Sequence, residues 1–346
     1  MRLFAAGIIA GVILGLIIPR GIMLLKKQKL LSPLAGENPV KTEKPLEKYT
    51  YENLKKKVFT GSSITWGNAL NDQQDFISRI FYFTSDGKKV SGMANLPKRP
   101  GNYPIIVMFR GFVDPQAYST GEGTVHAGEV FARNGFITLA PDFLGYGQSA
   151  SPSADAMEER FETYTTVLNL LASLKNLNTA LTDSNIGISA DVSKVGIWGH
   201  SNGGQIALSV LEISGGSYPT VLWAPVSKPF PYSILYYTDE FEDNGKALRK
   251  VVANFENDYE AEKYSPTNFF NWINAPIELH QGVIDEEVPQ WWSDDLYANL
   301  KKLGKDIIYY TYPSEDHNFD DSAGWSLAVE RSIGFYKSKF GIGLSG

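Results

Sequence analysis

The chain has 346 residues, of which 43% are hydrophobic and 20% are charged. That length and composition exclude a disordered or fibrous main state and favour one large α/β domain with an appendage. The sequence contains no cysteine, which excludes disulfides, thiolate metal sites and a cysteine nucleophile. The net charge of −6 argues against nucleic acid as a partner.

Residues 1–25 form an apolar N-terminal segment. Residues 3–19 carry no charge, and residues 21–25 continue the apolar run after Arg20. As a helix, residues 3–25 would reach about 34 Å, against a hydrocarbon core of about 30 Å. We therefore predict a single-pass membrane anchor, with a cleaved signal peptide as the alternative. The basic residues after the run favour a cytoplasmic soluble domain. N-terminal apolar segments commonly direct secretion, which favours the opposite side, so the orientation stays open.

Two further features belong to the N-terminal region. Gly7, Gly11 and Gly15 form a stripe of small residues that would pair two membrane helices in a homodimer. Residues 26–60 are lysine-rich and interrupted by three prolines, Pro33, Pro39 and Pro45. This composition predicts a linker with few tertiary contacts between the anchor and a domain at 61–346.

From residue 61 the sequence alternates between strand and helix patterns. Residues 78–97 read as a β-hairpin around Asp86-Gly87. Short apolar runs separated by helical periods then follow, at 104–109, 136–141, 194–198, 219–224, 275–281 and 305–312. This alternation predicts a mainly parallel, doubly wound sheet with helices on both faces. Functional side chains of such sheets collect at the carboxyl ends of the strands.

One motif lies at such a strand end. Residues 199–203 read GHSNG, between a buried strand and a predicted helix. A G-x-S-x-G sequence in this context forms a sharp turn that exposes the serine oxygen at a helix N-terminus. We therefore predict that Ser201 is a nucleophile rather than a residue of an ordinary tight turn.

A serine nucleophile needs a base, and the chain has only four histidines. The motif is associated with the chain order nucleophile, acid, base, and only His317 follows Ser201 with a suitable acid between them. Asp285, in the loop after the preceding strand, is the predicted acid, with Asp316 as a rival. Its carboxylate would hold the histidine in the correct tautomer.

The developing oxyanion requires two N–H donors. The backbone of Asn202, just after the nucleophile, is the first predicted donor. The second is predicted to be Phe112, in the loop after the strand at 104–109. The alternative for that loop is an ordinary turn.

These motifs together resemble an α/β-hydrolase, most closely the catalytic domain of the prolyl oligopeptidase family of serine peptidases, with dienelactone hydrolase-like and acetyl esterase-like enzymes nearby. The resemblance covers about residues 75–342 and implies a Ser201–Asp285–His317 triad and a hydrolase. It rests on the segments GNYPIIVMFRGF, FARNGFITLAPDFLGYGQS, VSKVGIWGHSNGG, YSPTNFFNWINAPIELHQGVIDEEVP and YPSEDHNF.

Two departures from the family pattern shape the functional expectation. Arg110 stands where the family usually has a histidine before the oxyanion glycine. Only about 50 residues separate the apolar segment from the hydrolase region, whereas full oligopeptidases carry a β-propeller there. The resemblance therefore implies a serine hydrolase acting on a peptide or a small-molecule ester, with a carboxylesterase as the alternative. A membrane-anchored binding protein without catalysis is the alternative from another class.

Residues 228–272 interrupt the strand rhythm and are predicted to form a small cap over the site. Tyr236 and Tyr237 in this segment, and Trp291 after the acid loop, are predicted to line a substrate pocket. Packing of the cap onto the body is the alternative role for the two tyrosines, and packing against Leu296 and Leu300 is the alternative for Trp291. A Ser-Asp-His mechanism needs no metal or organic cofactor, and none is predicted.

Overall fold

The computed structural model describes residues 44–184, 186–238, 242–320 and 322–343. Within these ranges a nine-stranded sheet has the order β1-β2-β3-β5-β4-β6-β7-β8-β9. In chain order the strands β1 to β9 are Thr65–Asp72, Phe76–Ser85, Lys88–Pro97, Asn102–Phe109, Ile137–Pro141, Ser189–His200, Thr220–Trp223, Ile277–Gly282 and Ile307–Tyr312.

The α-helices of the described residues alternate with the later strands. In chain order α1 to α9 are Tyr51–Lys56, Val125–Arg133, Ala156–Ser173, Leu177–Asp183, Asn202–Ser214, Tyr232–Leu235, Lys246–Asp258, Gln290–Lys302 and Ser322–Phe340. Short 3₁₀ turns lie at Pro45–Tyr49, Leu174–Asn176, Ala261–Tyr264, Pro266–Asn268 and Phe270–Trp272.

The first strands are antiparallel and the rest are parallel. Strands β1, β2, β3 and β5 pair antiparallel, whereas β5, β4, β6, β7, β8 and β9 pair parallel. The predicted hairpin joins β2 to β3, and its turn residues Asp86 and Gly87 have φ of 46° and 82°. Two positive φ angles match the twist of a two-residue hairpin. The sequence did not reveal β1, because this edge strand is largely exposed and lacks an apolar stripe.

Both faces of the sheet are covered by helices. Alternate residues of β4 enter different cores: Ile105, Val107 and Phe109 lie in one cluster and Ile106 and Met108 in the other. This division follows from the two-residue period of a strand. The first cluster is closed by residues of α3 and α5, and the second by residues of α2 and α9. The unbroken apolar strands of the sequence predicted this arrangement.

The described part of the predicted linker is not a linker. Leu46, Tyr49, Tyr51 and Leu54 are all buried, and they belong to the first core cluster. The Tyr51 hydroxyl donates a hydrogen bond of 2.6 Å to Ser209 Oγ on α5. Lysines and a proline mask this short apolar pattern in the sequence, and a six-residue helix presents too few turns to show a clear period.

The predicted cap region, 228–272, holds α6, α7 and three of the 3₁₀ turns. Phe230, Phe255 and Tyr264 are buried against Phe161 of α3, with the Phe161 and Tyr264 ring centroids 4.9 Å apart. This aromatic cluster therefore packs the segment onto the body.

Residues 1–43 are outside the described residues. These residues include the predicted anchor at 1–25, the glycine stripe and the first half of the predicted linker. Among the helices of the described ranges, none combines the length and the hydropathy needed to cross a bilayer.

Candidate active site

The serine of the GHSNG motif occupies a strained turn. Strand β6 ends at His200, helix α5 begins at Asn202, and Ser201 between them has φ of 56° and ψ of −122°. A non-glycine residue in this region costs on the order of 1–3 kcal/mol and persists only where its surroundings enforce it. The turn is the predicted one, and it presents Ser201 at the carboxyl edge of the sheet.

Two glycines make this turn sterically feasible. A Cβ on Gly203 would lie 2.1 Å from the carbonyl oxygen of Phe109, and one on Gly199 would lie 2.6 Å from that of Gly203. Both distances are far below van der Waals contact, and both partners are backbone atoms that cannot move aside. The flanking glycines therefore let α5 approach the end of β4 closely.

The predicted acid and base are hydrogen-bonded. His317 Nδ1 lies 2.9 Å from Asp285 Oδ2. The other oxygen, Asp285 Oδ1, accepts hydrogen bonds from the backbone N–H groups of Glu287 at 3.0 Å and Val288 at 2.7 Å. Gln281 Nε2 also donates to Asp285 Oδ2, at 2.9 Å. These bonds fix the orientation of a carboxylate that is almost completely buried.

The nucleophile-facing side of the histidine is more open. In the described part of the chain the Ser201 hydroxyl makes no hydrogen bond, and the charged atom facing His317 Nε2 is Glu287 Oε2, at 3.7 Å. The structure therefore brings Asp285 and His317 into contact and places Ser201 on the same sheet edge without a Ser–His bond. Catalytic hydrogen bonds in substrate-free enzymes are often long and tighten in the substrate complex.

His200 supports the His317 loop, a role that the sequence did not reveal. His200 Nε2 lies 2.9 Å from the His317 carbonyl oxygen, and the two imidazole centroids are 4.7 Å apart. Burial, and next the neighbouring His317, lower the pKa of His200 to about 4. The carbonyl can only accept, so the neutral His200 ring donates from Nε2.

The rival residues have other partners. His280 is buried within β8 and bonds Tyr312 Oη at 2.7 Å and Glu278 Oε1 at 3.0 Å. His126 lies on α2 and precedes Ser201 in the sequence. Asp316 accepts hydrogen bonds from two backbone N–H groups of its own loop. The geometry therefore favours Asp285 as the partner of His317.

The loop after β4 lies against the nucleophile. A Cβ on Gly111 would be 3.1 Å from Ser201 Cβ and 3.6 Å from Ser201 Oγ. Phe112, the predicted second oxyanion donor, follows immediately, and its side chain is 77% exposed. Asn202, the predicted first donor, is the first residue of α5. Both predicted donors therefore belong to segments that adjoin Ser201.

Arg110 anchors this loop from behind. Its guanidinium donates to the carbonyl oxygens of Gly111 at 2.9 Å and Asp142 at 3.3 Å. It also stacks on Tyr146 and Tyr118, at 4.0 and 4.6 Å from the ring centroids. The residue that departs from the family pattern thus holds the oxyanion loop in place.

A cavity of about 180 Å³ opens beside the two predicted oxyanion donors. It lies between α3, α5 and the loops after β4 and β5, and it is lined by Arg110, Phe112, Phe143, Leu144, Tyr146, Ala156, Glu159, Arg160, Glu162, Thr163, Tyr164, Thr166, Asn202 and Ile206.

The predicted pocket aromatics do not line this cavity. Tyr236 and Tyr237 pack around the buried Trp292, with Tyr236 and Trp292 centroids 4.8 Å apart. Trp291 is half exposed, and the Lys228 ammonium lies 3.9 Å from its ring centroid. Tyr236 and Tyr237 thus make packing contacts, the alternative role for the cap aromatics, whereas Trp291 lies outside this cavity.

A strained serine turn at the carboxyl edge of a doubly wound sheet is the architecture of the α/β-hydrolases, so the predicted fold is confirmed. Residues 124–343 match the model of the prolyl oligopeptidase family. The chain belongs to that family, and it is a serine hydrolase.

Solved structures with the same fold include esterases and peptidases. Acetyl xylan esterase 1 from Thermoanaerobacterium sp. matches with a TM-score of 0.54 and 16% identity, over 85% of this chain and 94% of the esterase. A puromycin-hydrolysing peptidase from Mycobacterium tuberculosis matches with a TM-score of 0.57 and 18% identity, over 80% of this chain and 41% of the peptidase.

A third structure, the acylaminoacyl peptidase of Pyrococcus horikoshii, matches with a TM-score of 0.56 and 20% identity, over 80% of this chain and 43% of that protein. This chain therefore spans nearly all of the esterase but less than half of each peptidase. No curated protein matches the sequence of this chain.

Proposed function

We propose that the chain cleaves an ester or amide bond through an acyl-enzyme on Ser201. Ser201 Oγ attacks the carbonyl carbon while His317 Nε2 takes the hydroxyl proton. Asp285 stabilises the imidazolium, and the N–H groups of Asn202 and Phe112 bind the oxyanion. His317 then protonates the leaving group, and a water molecule, activated by the same histidine, releases the acid and restores Ser201.

The 2.9 Å bond between Asp285 Oδ2 and His317 Nδ1 carries this proposal. It joins two residues 32 positions apart. A purely structural loop would gain little from aligning a buried carboxylate with a histidine beside a strained serine. This arrangement also favours an enzyme over the binding protein considered as the alternative from another class.

Ser201→Ala tests the proposed nucleophile. Loss of the hydroxyl should abolish labelling by a fluorophosphonate probe and lower kcat by about 10⁶-fold, the scale for removal of a triad serine. Ser217→Ala, at an exposed serine, should retain wild-type labelling and turnover. Labelling of Ser201→Ala at the wild-type level would assign the nucleophile elsewhere, and a wild-type chain that is never labelled would favour the binding protein.

A carboxylesterase for small acyl esters is the more specific candidate. The chain matches 94% of an acetyl xylan esterase but only 41–43% of the two peptidases. The small cavity beside Asn202 also favours a short acyl group. The full chain should be assayed with p-nitrophenyl acyl esters and with dipeptidyl and prolyl p-nitroanilides. Turnover of short acyl esters alone would identify an esterase, whereas preferential anilide cleavage would identify a peptidase.

A further inference from the structure

The cavity beside Asn202 is lined by both basic and acidic side chains. Arg110 reaches it from the oxyanion loop and Arg160 from the first turns of α3. The N-terminus of α5 contributes Asn202. Helix N-termini favour negative charge because their first N–H groups lack partners within the helix. The cavity thus combines two guanidinium groups with the positive end of a helix dipole.

Both guanidinium groups have unused donors. Arg110 is 6% exposed, and its two Nη atoms donate to neutral backbone carbonyls. Arg160 Nη2 donates to the neutral amide oxygen of Gln205 at 2.6 Å. The Nε atoms of both arginines are buried without a partner in the described structure, as is Thr166 Oγ1. A buried unpaired donor is costly, so such donors indicate a missing acceptor.

Two acids, Glu159 and Glu162, share the cavity wall with the arginines and lie on the same helix as Arg160. Glu162 is paired with Lys88 at 2.5 Å, and it also accepts a hydrogen bond from the Ser153 backbone N–H at 2.8 Å. Glu159 is largely exposed, and the partial burial of its carboxyl, followed by the nearby Glu162, raises its pKa. Neither Arg110 nor Arg160 forms an ion pair within the described residues, although the buried Asp142 carboxyl interacts electrostatically with Arg110.

The cavity adjoins the two proposed oxyanion donors. Its walls include Phe112 and Asn202, the proposed donors to the carbonyl oxygen. They include none of Ser201, Asp285 and His317, and His317 must reach the leaving group to protonate it. A cavity that adjoins the oxyanion donors but not His317 is the position expected for the group on the carbonyl carbon, rather than for the departing oxygen or nitrogen.

We infer that the cavity is an acyl subsite for a carboxylate, held by Arg110 and Arg160. The preferred substrates are then esters or amides whose acyl group carries a second, ionised carboxyl group, such as half-esters of dicarboxylic acids. This inference rests on the proposed function. A cavity of ~150 Å³ accommodates benzene, so about 180 Å³ has room for a chain of about six carbons.

Three p-nitrophenyl esters of equal chain length test the inference on the full-length protein: the mono-adipate, the hexanoate and the 6-aminohexanoate. In the wild type, kcat/KM for the adipate should exceed that for the hexanoate by at least about tenfold, the effect of one charge-assisted hydrogen bond. Arg160→Met should bring the adipate-to-hexanoate ratio close to one. Arg160→Lys keeps the charge without the Nε donor and should restore part of the preference.

Arg99→Met is the matched control, since Arg99 is an exposed arginine outside the cavity, and it should leave the ratio and both rates unchanged. Equal use of adipate and hexanoate by a wild type labelled on Ser201 would overturn the subsite and leave the hydrolase intact. A preference for the 6-aminohexanoate, or an unchanged ratio in Arg160→Met, would also overturn it. Absence of both turnover and probe labelling would instead refute the proposed function.

Discussion

At the scale of single residues, the candidate site is held by neighbours that take no part in the proposed chemistry. Gln281 donates to Asp285, and its own amide oxygen accepts a bond from Ser293 Oγ at 2.7 Å. His200 donates to the backbone carbonyl of His317. These partners restrict the orientations of Asp285 and His317, because each hydrogen bond limits the rotation of the group that it binds.

Asp285→Asn should lower kcat by about 10⁴-fold, because an amide no longer selects the tautomer that leaves Nε2 free to accept the serine proton. Steady-state kinetics on the fastest ester of the panel would measure the loss. Glu286→Gln changes an exposed acid of the same loop and should leave kcat near the wild-type value. A wild-type rate in Asp285→Asn would transfer the role of the acid to Asp316 or a glutamate.

The lowered pKa of His200 predicts sensitivity to acid. Between pH 6.5, its usual pKa, and about pH 4, its pKa in the fold, the unfolded chain binds a proton that the folded chain excludes. The free energy of unfolding therefore falls as the pH drops through this interval. From pH 7 to pH 5 the contribution of His200 is about 2 kcal/mol.

Urea unfolding of the wild type and His200→Gln at both pH values checks this prediction. The wild type should lose about 2 kcal/mol more than the variant between pH 7 and pH 5. The other titrating groups, including the buried His280, contribute to both proteins and cancel in the comparison. Equal losses would show that His200 titrates normally in the fold.

The residue-scale roles could be predicted only in part from the sequence. Ser201 follows from its glycine-flanked turn, and His317 and Asp285 follow from chain order among few histidines. Gln281 and His200 carry no such signal, because their partners are a side chain and a carbonyl that meet only in the folded chain. The Ser201–Asp285–His317 mechanism itself stays a proposal.

At the scale of elements, the segment before the first strand is part of the core. Tyr51 of α1 is fully buried, and its ring stacks on Phe269 with centroids 5.0 Å apart. Its hydroxyl reaches α5, the helix that begins after the nucleophile. Helix α1 therefore stabilises the far side of the element on which Ser201 depends.

Tyr51→Ala should cost about 3–5 kcal/mol of unfolding free energy, the range for removing a large aromatic side chain from a core. Chemical denaturation of the full chain would measure it. Val58→Ala, two residues beyond the helix at an 82% exposed position, should change the stability by less than about 0.5 kcal/mol. A comparably small effect of Tyr51→Ala would instead support the linker with few tertiary contacts that the composition predicts.

The elements differ in how well the sequence predicts them. Strands β4 to β9 contain short apolar runs bounded by helical periods, so both their type and their approximate positions could be predicted. Strand β1 and helix α1 could not be predicted from the sequence, because the strand is largely exposed and the helix spans only six residues. Hydrophobic periodicity needs either an apolar stripe or several turns before it becomes visible.

At the scale of the whole molecule, the described body belongs to one family and gathers the candidate site at one edge of the sheet. Strands β4, β6, β8 and β9 each end in a loop that carries part of the candidate site. Because these strands are parallel, their carboxyl ends meet at the same edge. That convergence is why residues more than 200 positions apart in the sequence, such as Gly111 and His317, belong to one site.

We propose that residues 3–25 anchor this body to a membrane. After alkaline carbonate extraction the full chain should remain in the membrane pellet, whereas Leu14→Asp combined with Ile17→Asp should release it, since each carboxylate in the bilayer costs about 2.5–3.5 kcal/mol. Val58→Asp should leave the chain in the pellet. A soluble wild type would refute the anchor, and an N-terminus beginning near residue 26 would identify a cleaved signal.

The bond from His200 to the His317 backbone has a mechanical consequence. His200 is the chain neighbour of Ser201. Its hydrogen bond to the His317 backbone therefore links the two proposed proton-transfer partners, Ser201 and His317, which lie on different elements. A displacement of the β9–α9 connection would therefore also displace the Ser201 turn, so that Ser201 and His317 would move together. Lengthening that connection by insertion would disturb both partners at once, even where neither is touched.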